Sequence, residues 1–343
     1  MPRPPKSLLP SDPVVARLAE LAPGQLADCF ALLCQKDKAN TRDGKPYYRV
    51  AFRDARRTAT LMVWKDSPWF VDCEGEWTVG EVYKLRVTFQ ESQYGPQIEL
   101  DRWRTVKDDD KQDGFDPWDF AEKTPFDVDE LWSKLLGLVE SHIDDPALRT
   151  LATLLIETHA DRIRTHSAAA RAHHAYSGGW LEHVVSMATT CAFLADRYRA
   201  AFPELSPPLS KSLVVTGALC HDIGKLVELD TRVSGTEYTA PGRLIGHILL
   251  GRDLVREAAQ QVPDLDPETL LRLEHIIVSH HDLPEFGSPI PPSTPEALIV
   301  HAADNLDAKF QMMAKALANT DPSNEFSNTD NPLKRKIFRG LAK

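Results

Sequence analysis

The stretch ALCHDIGKL, residues 218–226, places a histidine and an aspartate side by side in an otherwise apolar segment. Apolar residues recur at three- and four-residue spacing over residues 211–229, which predicts a single helix. An imidazole and a carboxylate on a buried helix cost free energy unless they are paired or bound to a metal ion. His221 and Asp222 are therefore predicted to be metal ligands.

Further histidines and an aspartate interrupt apolar stretches of the neighbouring predicted helices. Because helix bundles build metal centres from side chains on facing helices, we expect these groups to converge on one interior point. The predicted ligands are His183, His221, Asp222, His247, His280, His281 and Asp304. A lone histidine on an apolar face is more often a core or supporting residue, and five others keep that interpretation: His142, His159, His166, His275 and His301.

Imidazole and carboxylate donors suit divalent transition metals such as Mn, Fe, Co, Ni or Zn, and no thiolate is present to favour one of them. Two ions are expected, and the carboxylate of Asp222 is predicted to bridge them. Such a pair clamps the attacking and leaving oxygens of a phosphoryl displacement. Lys225, one helical turn after His221, is expected to stabilise charge on the phosphate oxygens. Asp222 and Lys225 are thus the predicted catalytic residues.

The chain from residue 130 to 320 is predicted to be an all-α bundle. Apolar residues recur there at helical spacing over residues 128–143, 146–163, 181–202, 211–229, 244–261, 266–281 and 294–317. Asp266 and Thr294 each precede a proline, which is typical of a helix N-cap followed by proline at the first helical position.

Residues 24–106 show a β pattern instead. Five strand-like segments, residues 25–36, 47–54, 59–64, 82–91 and 96–106, with a non-strand piece at 65–77, predict a small OB-fold barrel. A leader (1–23, with a helix around 14–21), an acidic linker (107–129) and a C-terminal tail (321–343) complete the predicted organisation. The predicted fold class is therefore multidomain β + α, an N-terminal OB-fold β-barrel followed by an all-α helical bundle. All twelve histidines lie at or after His142, which supports two parts with different roles.

An OB barrel can bind nucleic acid through aromatic side chains that stack on bases and basic side chains that meet the backbone. Period-two alternation places Tyr48, Val50 and Phe52 on the core face of the second strand, and Tyr47 and Arg49 on the other. The predicted nucleic-acid contacts are Tyr47, Arg49, Trp64, Lys65 and, before the His183 helix, His174. For each of them a plain structural role is the alternative.

Composition narrows the function classes. The formal net charge of −10 argues against a protein that coats nucleic acid through a global positive field. The five cysteines are scattered, without the CxxC pairs of a zinc ribbon. With no bilayer-length apolar run and no secretory signal pattern, we expect a cytoplasmic protein without a membrane partner. The assembly state is left open, with a homo-oligomer as one option.

Several motifs resemble those of the HD superfamily. In their residues and in their order along the chain they resemble the bacterial YhaM-type 3′–5′ exoribonucleases in particular. They are HAYSGGWLEHV (174–184), HDIGK (221–225), EYTAPGRLIGHI (237–248), VSHHDLPEFGSPIPP (278–292) and DNLDAK (304–309). The resemblance implies metal ligation by His183, His221, Asp222 and Asp304, with His247, His280 and His281 holding a second metal. It also implies an OB-type companion domain. The acidic linker and the tail after Asn319 depart from the pattern.

The function expected from this resemblance is a metal-dependent 3′–5′ exoribonuclease that releases 5′-nucleotides from single-stranded RNA, with single-stranded DNA as a further candidate. One alternative is an HD phosphohydrolase of nucleotides or cyclic dinucleotides. An alternative of another class is a nucleic-acid-binding adaptor with an inactive HD site.

Overall fold

The structure is a computed structural model of the 343-residue chain, and it describes residues 15–93, 95–120, 123–170, 174–233 and 235–341. They divide into two compact units, one within Met1–Glu122 with Arg232–Gly235 and one within Lys123–Thr231 with Thr236–Lys343. Among the described residues, no helix has the length and apolar character needed to cross a membrane. The first 14 residues of the predicted leader and the last two of the predicted tail lie outside the described part.

The first unit contains a five-stranded barrel. Its elements are β1 (Leu26–Asn40), β2 (Pro46–Arg53), β3 (Thr58–Trp64), α1 (Phe70–Gly75), β4 (Val82–Ser92) and β5 (Gly95–Thr105). β1 pairs antiparallel with β2 and β4, and a parallel contact joins β3 to β5. The strands close in the order β1-β2-β3-β5-β4, which is the Greek-key arrangement of an OB-fold. The predicted barrel is confirmed, and α1 lies within the piece predicted to be non-strand.

Alternation along β2 separates the barrel interior from its outer face. Tyr48, Val50 and Phe52 are buried, as the period-two pattern predicts. Tyr47 is half-buried and Arg49 is exposed on the opposite face. The register pairs Tyr47 with Trp64 of β3, so the two aromatic residues are neighbours across the strands.

The segment predicted as an acidic linker starts with a 3₁₀ turn at Asp108–Asp113, where Asp110 is buried. The guanidinium of Arg104, on β5, donates to both oxygens of this carboxylate, at 2.7 Å and 2.5 Å. The backbone N–H of Lys107 donates to it as well, at 2.7 Å. These hydrogen bonds, that of Arg104 above all, hold the pKa of Asp110 well below its ordinary value. The start of the segment is therefore tied to the barrel.

The second unit is mainly helical. Its helices are α2 (Val128–His142), α3 (Pro146–Thr158), α4 (Ala160–Thr165), α5 (Gly179–Ala201), α6 (Lys211–Cys220), α7 (Lys225–Glu228), α8 (Ala240–Leu244), α9 (His247–Ala259), α10 (Pro267–Ser279) and α11 (Pro295–Ala318). The helix α6 is buried on nearly all sides, whereas several of the others bury one apolar stripe. On α2, for example, Leu131, Leu135 and Leu138 follow the helical period and are buried. Asp266 and Thr294 accept hydrogen bonds from the third helical N–H, so both predicted N-caps are confirmed.

Three local predictions are wrong. The helix predicted over 211–229 ends at Cys220, and a turn over residues 221–224 precedes α7; there the N–H groups of Ile223, Lys225 and Leu226 donate to carbonyls three residues earlier, so the α-helical pattern is broken. The unit is not purely helical, since a hairpin of β6 (Leu229–Arg232) and β7 (Gly235–Tyr238) follows α7. In the leader, the described residues form a parallel bridge from Val15 to Asp28 and a 3₁₀ turn at Leu18–Glu20 in place of the predicted helix.

Candidate metal centre

Five helices bring the seven predicted ligands to one interior point. His183 lies in the first turns of α5, and the His221-Asp222 pair lies in the turn that follows α6. His247 is the first residue of α9, His280 and His281 follow the last residue of α10, and Asp304 lies on α11. The turn after α6 is held in place by Trp180, whose buried indole donates to the backbone carbonyl of Asp222 at 2.9 Å.

One group of donors consists of His183, His221, Asp222 and Asp304. The Nε2 atoms of His183 and His221 are 3.3 Å apart. Nε2 of His183 lies 3.4 Å from Oδ1 of Asp304, and Nε2 of His221 lies 3.5 Å from Oδ2 of Asp222. Separations of this size are what ligands of a shared transition-metal ion show when each bond is about 2.0–2.2 Å long.

The second group uses the other oxygen of Asp222. Oδ1 of Asp222 lies 3.5 Å from Nε2 of His247 and 3.7 Å from Nε2 of His280. His281 completes the group, and the four side chains each place a ligand atom within 4.8 Å of the others. Asp222 therefore faces both groups, one with each carboxylate oxygen, which is the arrangement of a bridging carboxylate.

Buried polar atoms without partners test whether these residues fit a metal ion. Oδ1 of Asp222, Nε2 of His247 and Nε2 of His280 are buried and have no hydrogen-bond partner among the described residues. A buried polar atom without a hydrogen-bond partner costs free energy. One carboxylate oxygen and two imidazole nitrogens in this state at one point are not expected by chance. A cation between them satisfies all three, so the donor set fits a divalent metal.

The histidine rings are oriented by hydrogen bonds at their outer nitrogens. In all five rings Nδ1 has an oxygen partner and Nε2 faces the centre. The partners of Nδ1 are Asp307 for His183 (2.8 Å), the carbonyl of Ala218 for His221 (2.8 Å), Glu228 for His247 (3.1 Å), the carbonyl of Ile277 for His280 (2.7 Å) and the carbonyl of Phe286 for His281 (2.6 Å). Partners of this kind fix the tautomer of metal-binding histidines.

The titratable groups at the centre respond differently to their surroundings. Burial opposes ionisation of Asp222, but Lys225 and the surrounding imidazoles hold its pKa well below the ordinary value. The pKa of His280 is well below its ordinary value because burial disfavours the imidazolium. Burial would also lower the pKa of His183, yet its bonds to Asp304 and Asp307 raise it to about 9. The carboxylates around His183 thus stabilise positive charge at its ring, where a metal ion would have to displace the proton, while His280 offers a neutral donor.

Lys225, the predicted phosphate-stabilising residue, is only 7% exposed. Its Nζ donates to Oδ2 of Asp222 at 2.6 Å. Its backbone carbonyl accepts from Nε2 of His166 at 2.8 Å, so His166 has the supporting role predicted for it. The ammonium therefore lies against a carboxylate that belongs to both donor groups.

The predicted nucleic-acid contacts fall in two different places. Tyr47 and Trp64 lie together on the outer face of the barrel, with ring centroids 4.9 Å apart, and Trp64 is 45% exposed. Arg49 and Lys65 are exposed in the same unit. His174 lies in the helical unit instead and is buried there.

A cavity of about 680 Å³ adjoins the aromatic pair on the barrel. Its lining residues are Thr41, Lys45, Pro46, Trp64, Lys65 and Asp66. It lies where the β1–β2 connection meets the end of β3, a region that OB-folds use for oligonucleotides and oligosaccharides.

Sequence reasoning missed two carboxylates that orient ligands. Asp307 accepts from His183, and Glu228 accepts from the backbone N–H and the ring of His247, at 3.0 Å and 3.1 Å. A signal for Asp307 was present, because it lies three residues after Asp304 and so on the same helix face. Glu228 carried no comparable signal, since its position depends on the turn before α7.

Comparison with known proteins agrees with this geometry. Residues 180–309 match the family model of the HD domain. The helical unit carries an HD domain. All seven predicted ligands lie within the matched residues, together with Lys225, Glu228 and Asp307, whereas His174 precedes them. A solved structure similar to the chain is the second OB-fold domain of replication protein A from Methanococcus maripaludis, at 14% sequence identity over 27% of this chain and 95% of that chain, with a TM-score of 0.21.

Proposed function

We propose that this chain is a metal-dependent phosphodiesterase that removes 5′-nucleotides from the 3′ end of single-stranded RNA. The observation that carries the proposal is the pair of donor groups sharing Asp222, with three buried donor atoms left unpartnered. The HD domain supports metal-dependent phosphohydrolase chemistry, and the OB barrel supports nucleic-acid binding.

The two donor groups are assigned to two divalent ions, with Mn²⁺ as the first candidate. His183, His221, Asp222 and Asp304 would hold one ion, and Asp222, His247, His280 and His281 the other. When bound, such ions polarise a phosphoryl oxygen and lower the pKa of a water ligand. The protein's own part is to keep Asp222 ionised and the rings turned with Nε2 inward.

Lys225 is assigned to the substrate phosphate. An ammonium has three donor hydrogens, and Asp222 accepts one of them at 2.6 Å. Another can donate to a non-bridging phosphate oxygen, whose negative charge grows during displacement. Since Lys225 is buried beside the metal ligands, its charge acts in a region of low dielectric constant, where it is less screened than at the surface.

The barrel is assigned to the RNA strand. Tyr47 and Trp64 offer ring faces for stacking on bases, which does not depend on sequence. Arg49 and Lys65 supply positive charge for the phosphodiester backbone. His174, buried in the helical unit, is not included in this surface.

The test is to incubate the full chain and Mn²⁺ with RNA labelled at its 5′ end. We expect stepwise shortening from the 3′ end, and no shortening by Asp222→Ala. RNA that stays intact with each of Mn²⁺, Fe²⁺, Co²⁺, Ni²⁺ and Zn²⁺ would remove the exonuclease assignment. If only nucleotides or cyclic dinucleotides are hydrolysed, the small-substrate phosphohydrolase is correct. If RNA binds unchanged and Asp222→Ala has no cellular effect, the adaptor is correct.

A further inference from the structure

A third cluster lies next to the metal centre and differs from it in one respect. The cluster consists of His174, His183 and Asp307, whose ligand atoms lie close together. Hydrogen bonds occupy both oxygens of the Asp307 carboxylate. Oδ2 of Asp307 accepts from Nδ1 of His183 at 2.8 Å and lies 3.3 Å from Nε2 of His174. Oδ1 of Asp307 accepts from the hydroxyl of Ser186 at 2.5 Å. This cluster needs no ion to satisfy its polar atoms, so a third metal is not indicated.

The other side of the His174 ring is also held. Its Nδ1 lies 3.0 Å from the hydroxyl of Tyr176 and 3.4 Å from Oε1 of Glu182. The Tyr176 hydroxyl donates to Oε2 of Glu182 at 3.0 Å, and Thr124 donates to the same oxygen at 2.5 Å. Hydrogen bonds therefore run without a break from Thr124 to the candidate ligand His183.

The backbone that carries His174 is fixed as tightly as its ring. His174 has a φ of +49°, which is uncommon for a residue other than glycine. A Cβ on Gly179 would lie 2.1 Å from the carbonyl oxygen of His174, so this loop lies directly on the N-terminus of α5. His174 is only 4% exposed. A buried residue with a constrained backbone and bonds at both ring nitrogens is suited to positioning another group.

We propose that Asp307 is a positioning residue for His183, and that His174 acts through Asp307 by holding its carboxylate in place. Together they keep the Nε2 atom of His183 directed at Asp304 and at the first donor group. The inference rests on the proposed function only in that His183 must bind a metal ion. It gives His174 a role within the helical unit in place of the nucleic-acid contact predicted from the sequence.

The experiment measures Mn²⁺ binding by titration calorimetry on the full chain after chelator treatment, without RNA. Loss of an outer partner of a metal-binding histidine costs about 10- to 100-fold in metal affinity, and we expect Asp307→Ala to fall in that range. Asp307→Asn keeps an acceptor oxygen for Nδ1 of His183 and should lose less. The matched control is Asp196→Ala, which removes an exposed carboxylate from the helix that carries His183 and should bind Mn²⁺ like the wild type.

A double-mutant cycle tests that His174 acts through Asp307. His174→Asn, chosen because asparagine tolerates positive φ, should weaken Mn²⁺ binding in the wild-type background and have no further effect beside Asp307→Ala. The absorption bands of bound Co²⁺ should change in both single variants, which a merely structural role would not produce. Circular dichroism checks folding; if Asp307→Ala does not fold, Asp307→Asn and His174→Asn carry the test.

The outcomes separate the two proposals. The positioning role would be overturned if folded Asp307→Ala bound Mn²⁺ with wild-type affinity and showed an unchanged Co²⁺ spectrum. If Asp307→Ala does not fold, the same result in folded Asp307→Asn and His174→Asn would overturn it. Additive losses in the double variant would overturn the link between His174 and Asp307. A wild-type chain that binds no divalent ion would overturn the proposed function itself.

Discussion

Gly224→Ala is the substitution for which the structure predicts the largest effect from a single methyl group. Gly224 has φ −64° and ψ −20°, a right-handed helical conformation that alanine adopts readily. Its constraint is space: a Cβ at this position would lie 1.9 Å from the carbonyl oxygen of His247 and 2.4 Å from the backbone nitrogen of Gly251. Both are backbone atoms, so no side-chain rotation can relieve the contact.

The size of the displacement follows from these distances. Real Cβ contacts essentially never fall below 3.0 Å, so the first turn of α9 and the turn that carries Gly224 must separate by about 1 Å. His247 is the first residue of that helix, and its Nε2 now lies 3.5 Å from Oδ1 of Asp222. A misplacement of about 1 Å in a reacting group can cost about 100-fold in rate. We therefore expect about that loss of RNA hydrolysis, with weaker binding of the second Mn²⁺ and about 1–3 kcal/mol of overpacking strain.

The assay compares Mn²⁺-dependent shortening of end-labelled RNA and Mn²⁺ titration curves of the variant with those of the wild type. The matched control is Gly137→Ala on α2, where a Cβ meets nothing within 4 Å. That change removes a helix-interior glycine and should stabilise the chain by about 0.5–1 kcal/mol without affecting hydrolysis. Wild-type activity and Mn²⁺ binding in Gly224→Ala would refute the argument that close backbone packing sets the position of His247.

Four further outcomes are expected. Trp64→Ala should weaken RNA binding, measured by fluorescence anisotropy, by about 1–3 kcal/mol per stacked base while hydrolysis of a small phosphodiester is unchanged. Glu228→Gln should weaken binding of the second Mn²⁺, measured by calorimetry, by about tenfold, because His247 loses its anionic partner. EDTA should abolish RNA hydrolysis, and added Mn²⁺ should restore it. Because Arg104 lowers the pKa of Asp110, this pair stabilises the fold above the unfolded-state pKa of about 3.9, and the contribution is lost as the pH falls further. Asp110→Asn should therefore lower the free energy of unfolding, measured by urea denaturation, by about 1.5–3 kcal/mol at pH 7 and by less at pH 3.

The two architectures could be predicted because each depends on local periodicity. Alternation in residues 47–54 assigns Tyr48 and Phe52 to the barrel interior without knowledge of any partner strand. The ligand set could be predicted for a different reason. An imidazole or carboxylate within an apolar helix needs a compensating group, and His183, His221 and Asp304 show that need in the sequence itself.

The features that could not be predicted depend on contacts between distant segments. Residues 221–224 form a turn in place of the predicted continuous helix, and Gly224 in that turn packs against the backbone of α9, more than twenty residues away in sequence. Glu228 reaches His247 only because that turn redirects the chain after α6. The burial of His174 could not be predicted, because one of its ring partners is Asp307, on a helix more than 130 residues later. Local pattern carries no information on such pairings.

The formal charges of five side chains at the centre bear on the proposal that both donor groups hold an ion. Asp222, Asp304, Asp307 and Glu228 carry four formal negative charges, and Lys225 carries one positive charge. One divalent ion leaves this set net negative, which repels the phosphodiester anion. Two divalent ions make it net positive, and in a buried site of low dielectric constant that difference in sign is weakly screened. In the proposed reaction the outer carboxylates would thus serve two purposes, since they accept from His183 and His247 and would also limit the positive charge that an anionic substrate must balance.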